Sequence, residues 1–272
     1  MINIGEEIIE IPYKRWNGLL NENKMYLSSK LITQTNTIIN SGLKKWKLLF
    51  NNKKISLDIK TKTINLPNNI NFEEFCYILR VIIDGIVLLK GYCPMHAAAM
   101  EYDNLQIILT AKTNNGKSYI INKLYHSLNK SKIIGDDHLI FNGKQLFGNS
   151  VLRKREKDKS EYINIDNIYS SCLNKLVVGI KISTINSSYK IQEKKEILEK
   201  LNELEFNKYI LTPFIIREEI YSSNQIFKMK LDKLYIEIIS NFCKELHFIS
   251  GSLEYIEHEL IKIIKNYRRN ND

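Results

Sequence analysis

The sequence predicts an α/β protein, because a strand, a glycine-containing loop and a helix follow one another in the middle of the chain. The apolar run Leu105–Leu109 has the length of a buried strand, and apolar residues at helical spacing follow it between residues 118 and 128. Ile133 and Ile134 form a further short apolar run directly after this helix. An alternating order of strands and helices is typical of a sheet with helices packed on its faces.

Residues 1–70 are predicted to form a small β-rich unit that precedes the α/β region. Short alternating stretches such as 55–59 are separated by Asn-rich turns such as Asn68-Asn69. We therefore place a boundary near residue 70 and assign residues 71–272 to a second, larger domain.

A long helix is predicted from residue 71 to about residue 89. Its apolar residues recur at steps of three and four, and Glu73 and Glu74 occupy the first turn, where the helix dipole favours negative charge. Gly91 ends this pattern. The segment 95–100, Met-His-Ala-Ala-Ala-Met, follows as a compact run of mostly small residues.

The rest of the chain is predicted to add a hairpin, a strand and further helices. Asn142-Gly143 follows an apolar run and favours a tight turn. The charge-dense stretch 153–159 is expected to be a mobile loop, and residues 176–182 a buried strand. Amphipathic helices are predicted at 192–204, 231–246 and 253–264.

Composition and charge limit the compartment and the partners. Of the 272 residues, 40 are Lys or Arg and 30 are Asp or Glu, so the formal net charge is +10. A basic surface suits polyanions such as nucleotides, nucleic acids or an acidic peptide, and the sign of the charge does not choose among them. The four cysteines are scattered without the spacing of a metal site and are expected to be reduced. Since no apolar run approaches about eighteen residues, we expect a cytoplasmic protein with no membrane partner.

The segment Ala111–Ser118, Ala-Lys-Thr-Asn-Asn-Gly-Lys-Ser, is predicted to bind phosphate groups. A triphosphate requires backbone N–H groups that converge at a helix N-terminus, and a cation that reaches the outer phosphates. Lys117 would supply the cation, and the Ser118 hydroxyl would hold Mg²⁺. Alanine replaces the usual first glycine of such loops at Ala111, which the loop tolerates if φ there is negative. The predicted nucleotide-binding residues are Thr113, Asn114, Asn115, Gly116, Lys117, Ser118 and Tyr119.

Two carboxylates and a histidine are the candidate catalytic groups outside the loop. Asp136 and Asp137 follow the short strand at 133–134, and in a parallel sheet they would lie beside the phosphate loop. Adjacent side chains point in different directions on an extended backbone, so one carboxylate can hold the metal while the other accepts a proton. By spacing alone, His96 is either a structural core histidine or a catalyst.

Taken in order, His96 with the small residues after it, the strand 105–109, the Gly-Lys-Ser loop and the Asp136-Asp137 pair resemble the HPr kinase/phosphorylase family. The likeness is to its C-terminal catalytic domain and to short relatives associated with peptide modification, and it covers about residues 72–145. It implies a phosphoenolpyruvate-carboxykinase-like P-loop kinase fold for the domain at 71–272. It also implies ATP- and Mg²⁺-dependent phosphorylation of a seryl hydroxyl on a peptide or protein acceptor.

The resemblance further implies roles for individual residues. Lys117 would contact the β and γ phosphates, and Asp136 would be the general base. Ser118 would hold Mg²⁺, and Asp137 would help to bind the metal or the acceptor. His96 would lie near the γ-phosphate or the base. The family's catalytic arginine has no matching motif here, and the candidates on charge alone are Arg153, Arg155 and Arg217.

The sequence leaves other functions open. The same loop would serve a nucleotide-binding regulatory protein without turnover, or a kinase that acts on the hydroxyl of a small molecule. Nucleic-acid binding would rest on net charge alone, since no recognition motif with interleaved aromatic residues is present. Assembly into a homo-oligomer is equally open.

Overall fold

The computed structural model is a mixed α/β structure with a central six-stranded sheet. It describes residues 2–4, 7–10, 32–34, 44–51, 55–58, 60–148, 151–156, 159–164, 169–171, 174–206 and 225–269. Among the helices in these ranges, none combines the length and the apolar character that a membrane crossing requires.

The described residues contain five helices: α1 Phe72–Leu89, α2 Lys117–Ser127, α3 Ile197–Glu203, α4 Gln225–Phe242 and α5 Leu253–Arg269. The start of α1 is fixed by a capping box, in which the Asn71 side chain accepts a hydrogen bond from the Glu74 backbone N–H at 2.9 Å. The helix predicted at 192–204 is shorter than expected. Its N-terminal part instead follows a strand that ends at Ile191, and the helix begins only at Ile197.

The N-terminal strands are β1 Ile2–Ile4, β2 Glu7–Glu10, β3 Ile32–Gln34, β4 Lys44–Asn51, β5 Ser56–Asp58 and β6 Thr63–Pro67. They form one sheet in the order β3-β1-β2-β4-β6-β5. This agrees with the β-rich character predicted for the region before residue 70. The boundary at residue 70 stays a prediction. Buried residues on both sides of it, such as Trp46 and Phe75, belong to one apolar cluster.

The remaining strands are β7 Cys93–Met95, β8 Ala98–Tyr102, β9 Leu105–Thr110, β10 Lys132–Gly135, β11 Leu139–Phe141, β12 Leu146–Phe147, β13 Val151–Glu156, β14 Lys159–Asn164, β15 Tyr169–Ser170, β16 Asn174–Ile182, β17 Ser188–Ile191 and β18 His247–Gly251. The hairpin predicted at Asn142-Gly143 is present, since β11 and β12 pair antiparallel around it. The expectation of a loop at 153–159 is wrong for the described residues of this stretch, because β13 and β14 pair antiparallel. Residues 157 and 158 lie outside the described residues. Dense charge is compatible with a strand when the strand belongs to a two-stranded ribbon rather than to a buried sheet.

The central sheet has the strand order β10-β8-β9-β16-β18-β17. The strands β9, β16 and β18 are parallel, whereas β8 pairs antiparallel with both β9 and β10, and β17 pairs antiparallel with β18. The assumption of a parallel sheet around the Asp136-Asp137 pair is therefore wrong. β10 is separated from β9 by β8, which runs in the opposite direction.

The antiparallel strand β8 nevertheless brings the predicted residues to one edge of the sheet. Since β8 runs against its two neighbours, its first residue lies at the edge where β9 and β10 end. His96 precedes β8, the phosphate loop follows β9, and Asp136 follows β10. Three segments that are distant in sequence thus converge because of strand direction alone.

Helices cover both faces of the central sheet. Alternate residues of β9 point to opposite faces: Ile108 lies in the apolar cluster that contains α1 and α4, whereas Ile107 and Leu109 lie in the cluster that contains α2 and α5. Because both faces are covered, every residue of β9 is buried, as the sequence predicted for a buried strand.

Candidate active site

The loop between β9 and α2 has the backbone form of an anion-binding turn. Asn114 and Gly116 have positive φ angles of 66° and 79°, and the Asn115 N–H donates to the Lys112 carbonyl at 3.1 Å. The first helical hydrogen bond runs from the Ile120 N–H to the Gly116 carbonyl at 2.9 Å, and Gly116 offers no side-chain cap. The N–H groups of the first turn therefore face the space in front of the helix, where an anion is favoured.

Alanine is compatible with the first position of this loop. Ala111 is fully buried, and it is not among the residues of positive φ in the described part of the chain. Only positive φ would require glycine there. The backbone condition under which alanine can occupy this position, a φ that is not positive, is met.

Lys117, His96 and Asp137 form a chain of contacts beside the loop. The Lys117 Nζ lies 3.1 Å from His96 Nε2 and donates to the Ala111 carbonyl at 3.3 Å. His96 Nε2 also lies 2.8 Å from Asp137 Oδ1. The imidazole and the lysine are almost fully buried, at 1% and 6% exposed, whereas 48% of the Asp137 side chain is exposed. The buried histidine thus connects a buried lysine to a carboxylate that solvent and ligands can reach.

The protonation of His96 is constrained by its other ring nitrogen. Nδ1 lies 3.1 Å from the Glu205 carbonyl, which can only accept a hydrogen bond, so Nδ1 carries a proton. Nε2 then has to satisfy two different partners. The Lys117 ammonium requires an acceptor at Nε2, whereas the Asp137 carboxylate requires a donor there. These requirements conflict, so the contact of Nε2 with one partner becomes stronger only when its contact with the other partner becomes weaker.

The Asp137 carboxyl is held in its ionised form. Burial raises the pKa of this carboxyl, but the hydrogen bond with His96 and the charges of His96, Arg80 and Lys117 lower it more, and the net pKa lies far below its usual range. Asp136 differs, because it is only 2% exposed. Of the two adjacent carboxylates, Asp137 is by far the more exposed.

Glu205 is a site residue that the sequence pattern did not indicate. Its backbone carbonyl accepts from His96, and its carboxylate Oε2 accepts from the Thr113 N–H at 3.1 Å and from the Thr113 hydroxyl at 2.8 Å. A carboxylate oxygen therefore already lies on one backbone N–H of the phosphate loop. No local signal could have identified this residue, since it lies 92 positions after Thr113 and follows a short helix.

Arg80, Asp84 and His138 form a buried polar group behind Asp137. They are 5%, 0% and 0% exposed, and His138 Nε2 lies 3.0 Å from Asp84 Oδ1. Burial and the neighbouring Arg80 charge lower the pKa of His138 despite the opposing effect of Asp84, so the ring is neutral near pH 7. The sequence did hold a signal here, because Arg80 and Asp84 are the charged residues within the buried stretch of α1 from Ile78 to Leu88.

The other predicted residues lie in or beyond this site as follows. Ser118 is partly exposed in the first turn of α2, beside Tyr119, which is 49% exposed. Arg153 and Arg155 lie in β13, and Arg217 lies outside the described residues. Within the described part of the chain, no group of three or more His, Cys, Asp or Glu side chains could hold a metal ion. A Mg²⁺ bound together with phosphate groups needs only one or two protein ligands, so this finding is compatible with the predicted metal roles of Ser118 and Asp137.

Comparisons with known proteins do not assign the chain to a family. No protein-family model matches it, and no curated protein is significantly similar to it.

Proposed function

We propose that this protein is an ATP- and Mg²⁺-dependent kinase that phosphorylates a hydroxyl group, that of a serine in a peptide or protein acceptor, in the manner of the HPr kinase family. The observation that carries the proposal is the contact chain from Lys117 through His96 to Asp137 beside the loop between β9 and α2. Phosphoryl transfer depends on positioning and charge stabilisation, and this chain supplies a phosphate-binding cation and a carboxylate base side by side. We also propose that residues 71–272 adopt the phosphoenolpyruvate-carboxykinase-like fold of that family.

Lys117 has a different partner in each step of this scheme. Without nucleotide, its ammonium contacts the Ala111 carbonyl and His96 Nε2. With nucleotide, the negative phosphates attract it, and the conflict at Nε2 is relieved because only Asp137 remains there. Departure of the lysine also removes one of the charges that lower the Asp137 pKa, so the carboxylate becomes a stronger base.

Asp137 is the general base in this proposal, and Asp136 is assigned to the metal side. This reverses the roles that the family resemblance implies, because a base has to touch the acceptor hydroxyl and Asp136 is only 2% exposed. The acceptor oxygen would bond to the γ-phosphorus while the bond from that phosphorus to the bridging oxygen breaks. The hydroxyl proton would pass to Asp137, whose orientation His96 maintains, and ADP would leave.

The residues around the loop fit a metal that arrives with the nucleotide. Ser118 presents its hydroxyl in the first turn of α2, and Asp136 follows β10 at the same edge of the sheet. Hydroxyl and carboxylate oxygens suit Mg²⁺ when the phosphates supply the other ligands. The metal would neutralise charge on the phosphate oxygens.

Lys117→Ala tests the proposed function most directly. Because the cation on the outer phosphates is lost, transfer should fall about 100- to 1000-fold, in the range measured when one charge-stabilising donor is removed. The measurement is transfer of the labelled γ-phosphoryl of Mg·ATP to an array of serine-containing peptides, together with calorimetric binding of Mg·ATP. Lys262→Ala, on the exposed face of α5, is the matched control and should leave both unchanged. An unchanged rate in Lys117→Ala would exclude the kinase assignment.

A further inference from the structure

The buried group of Arg80, Asp84 and His138 does not touch the reacting atoms in the proposed chemistry, yet burial of such groups is costly. Arg80 and Asp84 lie four positions apart on α1 and are 5% and 0% exposed. Removing charged groups from water costs several kcal/mol each unless partners compensate for it. Replacement of such a group by apolar residues often leaves the stability unchanged or raises it. Stability alone therefore does not explain why these polar residues lie beside the site.

The hydrogen bond within this group has a defined direction. Asp84 Oδ1 accepts from His138 Nε2 at 3.0 Å, so the neutral ring carries its proton on Nε2. The side chain of His138 is therefore held to α1 by a hydrogen bond to Asp84. Both side chains are 0% exposed, so water does not compete for this bond.

The backbone next to His138 is strained. The His138 N–H donates to the Asp136 carbonyl at 2.9 Å, and Asp137 between them has a φ of 69°. A three-residue turn closed by this hydrogen bond with positive φ at its centre is the rarer and more strained form of the γ-turn. Residues in such conformations cost about 1–3 kcal/mol and persist only where the surrounding structure enforces them.

We propose that His138, anchored to Asp84, is a positioning residue that holds Asp137 in this strained turn and thereby aims its carboxylate at His96. Asp137 is fixed from two directions: its backbone by the anchored neighbour and its carboxylate by His96 Nε2 at 2.8 Å. Without the anchor, the turn relaxes to negative φ and the carboxylate leaves His96. The consequence for catalysis rests on the proposed function, whereas the consequence for geometry does not.

A pair of substitutions at one position tests this role. In His138→Gln, the amide nitrogen lies about where Nε2 lies and can still donate to Asp84. In His138→Asn, the amide is one methylene shorter and cannot reach. We expect His138→Asn to lower kcat for phosphoryl transfer about 100-fold, the cost of a base misplaced by about 1 Å, and His138→Gln to retain most of it. The calorimetric Kd for Mg·ATP should stay within about threefold in both, since the phosphate loop is untouched.

The control is His126→Asn, which removes an exposed histidine at the end of α2 and should leave kcat unchanged. A merely structural role would lower the thermal midpoint of His138→Asn and leave kcat per folded molecule unchanged. That result would overturn the proposal, as would equal losses in the Asn and Gln variants.

Crystal structures of the wild-type protein and of both variants give a readout that does not depend on activity. We expect His138→Asn to have negative φ at Asp137 and a broken contact with His96, and His138→Gln to keep both. Positive φ and an intact contact in His138→Asn would refute the positioning role. If instead the wild-type protein keeps this geometry and phosphorylates nothing, the proposed function fails and the positioning role is still decided.

Hydrogen exchange of the wild-type protein covers the case in which His138→Asn does not fold. If the anchor holds the turn, the His138 backbone N–H should be protected to the same degree as amides in the buried part of α1, because the same opening is needed for exchange. Rapid exchange, as in a surface loop, would overturn the proposal without any substitution.

Discussion

Two buried histidines lie at opposite edges of the central sheet, and they differ in how their partners fit together. His247, at the start of β18, has Nε2 2.6 Å from Glu245 Oε1 and Nδ1 2.8 Å from the Tyr189 hydroxyl. The Tyr189 hydroxyl donates to Nδ1, and the protonated Nε2 lies beside the Glu245 carboxylate, so one neutral tautomer suits both partners. His96 instead has a lysine and an aspartate at the same nitrogen.

The difference indicates which of the two histidines would change its contacts when a ligand binds. A proton shift or a bound ligand would not improve the contacts of the Tyr189–His247–Glu245 group, because one tautomer of His247 is compatible with both partners. At His96 the arrival of a phosphate that draws Lys117 away would improve the remaining contact. Local conflict that a ligand relieves is expected at functional sites and not at purely structural ones.

Substitution of the two aspartates should give the largest effects at the His96 edge. Asp137→Asn removes the proposed base but keeps its shape, so kcat should fall about 10²- to 10⁴-fold while Mg·ATP still binds. Asp136→Asn should instead raise the Mg²⁺ concentration needed for half-maximal transfer. Steady-state kinetics at varied Mg²⁺ measure both. If Asp136→Asn abolishes transfer at saturating Mg²⁺ and Asp137→Asn does not, Asp136 is the base, as the family resemblance implies.

Gly116→Ala should weaken nucleotide binding through the loop backbone. Gly116 has φ of 79°, and an added Cβ would lie 3.1 Å from Leu253 Cδ2 and 3.2 Å from Ile182 Cδ1. We expect a loss of about 1 kcal/mol in the free energy of unfolding and about a tenfold rise in the Kd for Mg·ATP.

Gly143→Ala is the matched control for this loop variant. Its φ of 94° imposes the same backbone strain, but an added Cβ would meet no atom within 4 Å. It should lose similar stability in urea unfolding with no change in the Kd. Equal affinity losses in the two variants would show that the effect is not local to the loop.

Stability should fall on mild acidification because of buried neutral histidines at both edges. Burial, chiefly, lowers the pKa of His138 and of His247 below the ordinary value of about 6.5. The stability that each contributes is complete above about pH 6.5 and is lost as the pH falls toward the folded-state pKa, since the unfolded chain then binds protons that the folded chain does not. Urea unfolding between pH 8 and pH 5 measures this, and His138→Gln or His247→Gln should flatten the dependence. A flat wild-type profile would contradict it.

Tyr189→Phe should have the smallest effect. It removes the hydroxyl that donates to His247 and leaves the stacked ring, whose centroid lies 5.9 Å from that of the imidazole. We expect a loss of about 0.5–1.5 kcal/mol in the free energy of unfolding, the usual net value of one hydrogen bond, and no change in phosphoryl transfer. A large loss of transfer would show that the two edges are coupled.

Elements with a strong local signal could be predicted from the sequence. The start of α1, the strand and loop before α2, and the hairpin at Asn142-Gly143 each depend on residues within about one turn or one strand of each other. The β13–β14 hairpin could not be predicted, because its charged residues carry no alternating pattern and its stability comes from pairing across the ribbon.

The candidate site could be predicted only in part for the same reason. Local sequence motifs identify Lys117, His96 and the Asp136-Asp137 pair, because the residues next to each of them form a pattern typical of such sites. Glu205 becomes a site residue only through contacts made across more than 90 positions. Which aspartate is exposed depended on the turn at Asp137, and no residue pattern encodes that turn.

The apolar cluster shared by the N-terminal sheet and α1 has a practical consequence for anyone who shortens the chain. Trp46, Ile64 and Leu66 are buried against the helix that carries Arg80 and Asp84. A fragment that starts at residue 71 would expose that apolar surface to water and loosen the support behind Asp137. Such a fragment should be poorly soluble and inactive even though it retains every residue of the predicted phosphate loop, so expression trials should keep residues 1–70.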